Sequence, residues 1–139
     1  MGNSQSVQKI NFEDVQFAIK NSDANVLINT LTDAEQECLI PNTINSKKEV
    51  ELINHFIKMG NKQCKIIIYG KNCNDANIHT KYNQFKSLGF YNVYIYEGGL
   101  FEWLMLQDIF GDKEFPTTKK ENDFLKYKPP KILNIPLLE

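Results

Sequence analysis

The side chains best equipped for nucleophilic or metal chemistry are Cys38, Cys64, Cys73, His55 and His79. Cys73 has the most reactive setting. It lies in Gly70-Lys71-Asn72-Cys73-Asn74-Asp75, a polar loop between the apolar run Ile66-Ile67-Ile68-Tyr69 and a helix-like stretch. A thiol beside a lysine and a helix N-terminus has its thiolate, the nucleophilic form, stabilised. Asp75 competes for the same N–H groups as a helix cap. The sixth residue after Cys73 is His79, not arginine, so a Cys-x5-Arg phosphatase loop is absent and phosphatase activity is not expected. His79 is expected to face solvent beside the apolar stripe of its helix, and His55, mid-helix next to Phe56, is expected to be structural. Cys64 precedes a strand and Cys38 ends a polar segment, neither with a base nearby in sequence. There is no Cys-x-x-Cys, and no metal site or cofactor is expected. An odd number of cysteines without an apolar export signal reads as reduced cytoplasmic thiols.

Composition narrows the chemistry further. All 16 basic residues are lysine, so the chain has no arginine. That removes a bidentate guanidinium clamp on phosphate or carboxylate. A net charge of −1 gives no overall pull toward nucleic acid, and no nucleic-acid partner is expected. No apolar run is long enough to cross a bilayer. The start, Met1-Gly2-Asn3-Ser4-Gln5-Ser6, fits the N-myristoylation pattern. Loss of Met1 would free the Gly2 amine, and Ser6 supplies the small hydroxyl residue. One acyl chain gives only reversible membrane association. A second contact is available in the C-terminal lysines Lys119, Lys120, Lys126, Lys128 and Lys131, which Glu121 and Asp123 interrupt.

The elements that must position the loop follow from periodicity. A length of 139 residues fits one domain. Residues 1–9 are expected to form a flexible polar leader, 10–111 the domain, and 112–139 an extended tail packed on it. Phe12, Val15, Phe17 and Ile19 predict a helix over 10–20, and Val26-Leu27-Ile28 a buried strand. Thr32 opens a short helical segment through Cys38. Val50, Ile53 and Ile57 predict the stripe of a helix over 47–59. The β-branched run 65–69 predicts a central strand buried on both faces. Ile78, Tyr82 and Phe85 predict a helix over 76–88, 93–96 a strand, and 100–110 a last helix around Trp103. Alternating strands and helices with short connections imply right-handed crossovers and an α/β fold. Phe124, Leu125, Tyr127, Ile132, Leu133 and Ile135 are expected to pack the tail over the domain.

The stretch from about Ile10 to Gly111 resembles the rhodanese-like domain. Leu88-Gly89-Phe90-Tyr91-Asn92-Val93-Tyr94-Ile95-Tyr96-Glu97-Gly98-Gly99-Leu100-Phe101-Glu102-Trp103 is similar to the family's L-G-F-x-N-V-x-x-L-x-G-G-x-x-x-W. Leu39-Ile40-Pro41-Asn42-Thr43-Ile44-Asn45 is similar to G-H-I-P-G-A-I-N, and Val26-Leu27-Ile28-Asn29 to V-L-I-D. The resemblance implies a central, mostly parallel sheet with helices on both faces, and a β-to-α loop whose N–H groups hold a sulfur-bearing cysteine.

The departures bear on activity. Gly70 stands where active members carry the cysteine. Asn29 and Leu31 replace the Asp and Arg of Asp-x-Arg, and Leu39 replaces the histidine. Two functions are therefore expected. One is a catalytically degenerate module that serves regulation or a protein partner and is tethered by myristoyl-Gly2 to a membrane's cytosolic face. The other is a sulfurtransferase in which Cys73, displaced along the loop, takes sulfur from a donor. The loop 70–75 is the expected seat of any small anion or sulfur donor.

Overall fold

The structure is a computed structural model and describes residues 7–133. Its elements are Lys9–Ile10 (β1), Phe12–Lys20 (α1), Asn25–Asn29 (β2), Thr43–Ile44 (β3), Glu49–Lys58 (α2), Lys65–Tyr69 (β4), Ala76–Ser87 (α3), Val93–Tyr96 (β5) and Gly99–Phe110 (α4). Three 3-10 turns, Asp33–Glu35, Ser46–Lys48 and Phe124–Tyr127, complete them. The strands form one sheet in the order β1-β5-β4-β2-β3. Every pairing is parallel, with Ile66 between Val26 and Val93 and Ile68 between Ile28 and Ile95. An all-parallel sheet needs cover on both faces, and the continuous apolar run of β4 fits that demand.

Alternation along the strands divides the core. Leu27, Ile67, Tyr69 and Tyr96 face Val15 and Ala18 of α1 and Leu100, Trp103 and Leu104 of α4. Ile28, Ile66, Ile68, Val93 and Ile95 face Ile53 of α2 and Ile78, Tyr82 and Phe85 of α3. The expected α/β architecture with helices on both faces is thus present.

Several local expectations are corrected. Ile10 belongs to a strand, not to the first helix. Asn11 caps that helix instead, accepting from the amides of Glu13 (2.9 Å) and Asp14 (3.1 Å). Residues 7–9, read as leader, lie beside β5, where Ile95 N donates to Gln8 O at 2.9 Å. Phe17 is 60% exposed and Ala18 takes its inward place. Val50 is 69% exposed, and the buried stripe of α2 runs instead through Leu52, Ile53 and Phe56. The segment opened by Thr32 closes after one 3-10 turn rather than reaching Cys38.

The tail is part of the core. Phe115 and Tyr127 are buried with Trp103. Trp103 Nε1 donates to Pro116 O (2.8 Å) and Gln107 Nε2 to Phe115 O (2.7 Å). Thr118 brackets Leu39: its amide donates to Leu39 O (2.8 Å) and its hydroxyl accepts from Leu39 N (3.0 Å). Leu125, Ile132 and Leu133, expected to pack, point to solvent. Ile135 lies outside the described residues.

Candidate functional site: the β4–α3 loop

The loop 70–75 leaves the C-terminal end of β4 in the middle of the sheet. It is held first by α4. Gly99 has φ +66°, and a Cβ there would lie 2.6 Å from Gly70 O and 3.0 Å from Asn72 N. Only glycine permits this approach. The closeness lets Leu100 N donate to Gly70 O (2.9 Å) and Phe101 N to Lys71 O (2.8 Å). The leading amides of α4, which lack partners within their own helix, are thereby satisfied by loop carbonyls.

The loop's own polar groups are also engaged. Asn72 is buried. Its Oδ1 accepts from Asn74 N (2.8 Å), and its Nδ2 donates to Tyr127 O in the tail (2.8 Å). Asp75 caps α3 by accepting from Asn77 N (3.0 Å). Its other oxygen, Oδ2, accepts from the Thr30 hydroxyl (2.7 Å) at the end of β2. A Cβ built on Gly70 would overlap Asp75 Oδ2 and lie 2.5 Å from Thr30 Oγ1. The space a side chain at position 70 would enter is therefore filled by a carboxylate–hydroxyl pair.

Cys73 is exposed. Its Sγ lies 3.8 Å from Asn74 Oδ1 and lines a cleft of about 620 Å³ walled by Ile10, Phe12, Phe101, Met105 and Pro129. Lys71, expected to lend the loop positive charge, pairs with Glu35 at 3.1 Å. Burial pushes the Glu35 carboxyl up. Hydrogen bonds from the Thr32 amide and hydroxyl, with the Lys71 ammonium, outweigh that and leave it below its ordinary value. Burial raises the thiols of Cys38 and Cys64. His55 and His79 are both exposed. Among the described residues no group of three or more His, Cys, Asp or Glu could hold a metal ion.

The substituted positions around the loop form a neutral, closed network. Asn29 is buried and exchanges two hydrogen bonds with Gln36: Nδ2 to Oε1 (3.0 Å), and Oδ1 from Nε2 (2.9 Å). Asn29 Oδ1 also accepts from Leu31 N (3.0 Å). Leu31 and Leu39 are buried. Tyr69 holds the segment after Leu39, its hydroxyl accepting from Ile40 N (3.1 Å) and lying 2.8 Å from Thr43 Oγ1. Burial holds that phenol well above its usual pKa, so it stays neutral. A second, smaller cleft of about 370 Å³ opens between α2 and α3 beside Thr30, with the Glu49–Lys81 ion pair (2.7 Å) on its wall.

The structure thus brings the predicted loop residues 70–75 together at one end of the sheet but turns Cys73 outward. Thr30 and Gln36 are not singled out by the sequence, and Tyr127 is expected there only to pack the tail, not to hold the loop. Thr30 directly follows the V-L-I-N match, which was the available signal. The contact of Tyr127 O with Asn72, 55 residues away, has no signal in the sequence. Gly2 lies outside the described residues.

This chain belongs to the rhodanese-like domain family, whose profile matches residues 13–106, more than half of the chain. Solved structures agree on the fold. The rhodanese-like domain of the Anabaena protein Alr3790 superposes with a TM-score of 0.58 at 16% identity, covering 96% of this chain and 93% of that one. The yeast protein Ygr203w, described as a protein tyrosine phosphatase of the rhodanese family, gives 0.59 at 10% identity, covering 83% and 94%. An As-Sb reductase from Leishmania major gives 0.54 at 18% identity, covering 77% and 81%. No curated protein sequence matches the chain.

Proposed function

We propose that this protein is a catalytically degenerate rhodanese-like module that works by interaction, held reversibly at a membrane surface. The observation that carries the reading is Gly70. The resemblance puts the family's nucleophile at this position, and the volume beside it holds the Asp75–Thr30 pair. A bound anion would meet a carboxylate already seated there, and like charges at that distance repel strongly in a partly buried site. The amides of Asn74, Asp75, Asn77 and Ile78 are already spent on internal acceptors. The substitutions at 29, 31 and 39 act in the same direction, replacing ionisable family positions with a buried amide and two buried leucines. The membrane part of the reading rests on the Gly2 pattern.

The test is incubation of the purified chain with thiosulfate or 3-mercaptopyruvate. The expected outcome is no 32-Da adduct on Cys73 and no thiocyanate when cyanide is supplied. The competing sulfurtransferase reading draws support from the exposure of Cys73 at the mouth of its cleft. In it the Cys73 thiolate would attack the sulfane sulfur, release sulfite and pass the sulfur to a thiol. Turnover that disappears in Cys73→Ser would establish that reading and overturn ours. For the lipid signal, Gly2→Ala should lower membrane partition in eukaryotic cells, and equal partition would remove it.

A further inference from the structure

We propose that the tail segment 124–133 is itself a contact surface for an anionic lipid bilayer. Its sequence is Phe124-Leu125-Lys126-Tyr127-Lys128-Pro129-Pro130-Lys131-Ile132-Leu133, with three lysines and no Asp or Glu. Two residues anchor it to the domain. Tyr127 is buried with its carbonyl held by Asn72 Nδ2, and the Phe124 ring lies 6.3 Å from that of Phe101. With those two turned inward, the apolar side chains between and beyond them turn outward. Leu125 is 54% exposed, Ile132 72% and Leu133 101%.

Exposed leucine and isoleucine alternating with lysine is the composition of an interfacial segment. Aliphatic side chains enter the headgroup–acyl boundary, while lysine stems follow them and keep the ammonium groups at the anionic surface. Pro129 and Pro130 cannot continue a helix, so the 3-10 turn Phe124–Tyr127 stops there and the chain runs on extended from Lys128. Lys128 and Lys131 make no ion pair among the described residues. By contrast, Lys119 is matched by Glu37 (2.5 Å) and Lys126 by Glu121 (2.6 Å). The charge available to lipid therefore lies in the same acid-free stretch as the exposed aliphatics. Single-stranded nucleic acid would call for exposed aromatic platforms, and the exposed apolar groups here are aliphatic. The inference deepens the membrane-tethering reading but does not require an acyl chain.

The experiment uses the full chain carrying Gly2→Ala, so that no acylation can contribute. It is sedimented with phosphatidylcholine vesicles, with and without phosphatidylserine. The expected result is cosedimentation only with the phosphatidylserine vesicles and release by added salt. Lys128→Gln and Lys131→Gln should each weaken partition about five-fold. The triple variant Leu125→Ser, Ile132→Ser, Leu133→Ser should abolish it. These side chains are exposed, so buried Trp103 should report an unchanged fold by its fluorescence. Protein left in the supernatant with both vesicles, triple-variant binding equal to the parent, or binding to heparin without binding to vesicles would each overturn the proposal. Mass spectrometry of the N-terminal peptide from eukaryotic cells reports Gly2 acylation separately, so the two membrane readings can fail independently.

Discussion

At the scale of single residues, Gly70 and Asp75 shape the β4–α3 loop: the space beside Gly70 holds the Asp75–Thr30 pair. Gly70→Cys would return the family's side chain but drive Asp75 off Thr30. Losing this part-buried charge-assisted hydrogen bond costs about 1–3 kcal/mol. We therefore expect Gly70→Cys to lower the urea midpoint without producing thiocyanate from thiosulfate and cyanide. The three thiols should separate in native labelling. Cys73 is exposed, while burial raises Cys38 and Cys64 and lowers their thiolate fraction. A maleimide or iodoacetamide time course should show one fast site, lost in Cys73→Ser; a second thiol reacting as fast would contradict the sheltered seats of buried Cys38 and half-buried Cys64. Glu35 supplies a pH signature. Its folded pKa lies below the ordinary 4.5, so its contribution to stability is present above that value and is lost as pH falls through the depressed one. Glu35→Gln should flatten the acid limb of a plot of melting temperature against pH. The loop and its cysteine were legible in the sequence, and so was Asp75 as a cap. That Asp75 also fills the space beside Gly70 was not, because its partner Thr30 is 45 residues away.

Among the elements, the central strands and the helices could be read from periodicity, because burial on one or both faces imposes it. β4 and β5 match their sequence ranges, 65–69 and 93–96. β1 and β3 could not be read, since two residues carry no alternation. The helix stripes depart from the sequence expectation at Phe17 and Val50, both exposed, for a related reason. An apolar side chain raises the apparent period whether it points to the core or to solvent, and only the packing partner decides which. The Gly98-Gly99 turn was legible as a turn. Its second duty, letting α4 approach the loop within hydrogen-bonding distance, needed three dimensions. Gly99→Ala combines a left-handed φ with a clash against a backbone oxygen. It should cost at least about 2 kcal/mol, measured by chemical denaturation. Gly98 has an ordinary helical φ; alanine there meets only the Glu102 side chain, so it should be milder.

For the molecule as a whole, the tail is where packing goes beyond what sequence pattern encodes. Prolines exclude long helices there and suggest an extended cover; in the structure Phe115 and Tyr127 are buried against the domain, and Phe124–Tyr127 form a 3-10 turn. The outward turn of Leu125, Ile132 and Leu133 was not foreseen, because composition alone cannot tell a packed apolar residue from an exposed one. Trp103 has its indole N–H satisfied by Pro116 and a ring neighbour in Phe115 at 5.1 Å. Ending the chain at Gly111 removes both and uncovers the α1–α4 face. Large aromatic truncations in cores cost about 3–5 kcal/mol, a large share of the marginal stability of a small domain. The shortened chain should lose cooperative unfolding and show red-shifted tryptophan emission. A blue-shifted, cooperatively melting fragment would show that the domain closes without its tail.

The two-residue outer strands Lys9–Ile10 and Thr43–Ile44 have a consequence for the company this protein keeps. A long bare border would let any extended chain zip onto the sheet, including another copy at high concentration. Here the border is too short to template such growth. Edges this short disfavour recruitment by strand addition, so a partner would meet helix faces or the tail, where side-chain chemistry rather than backbone pairing chooses the neighbour.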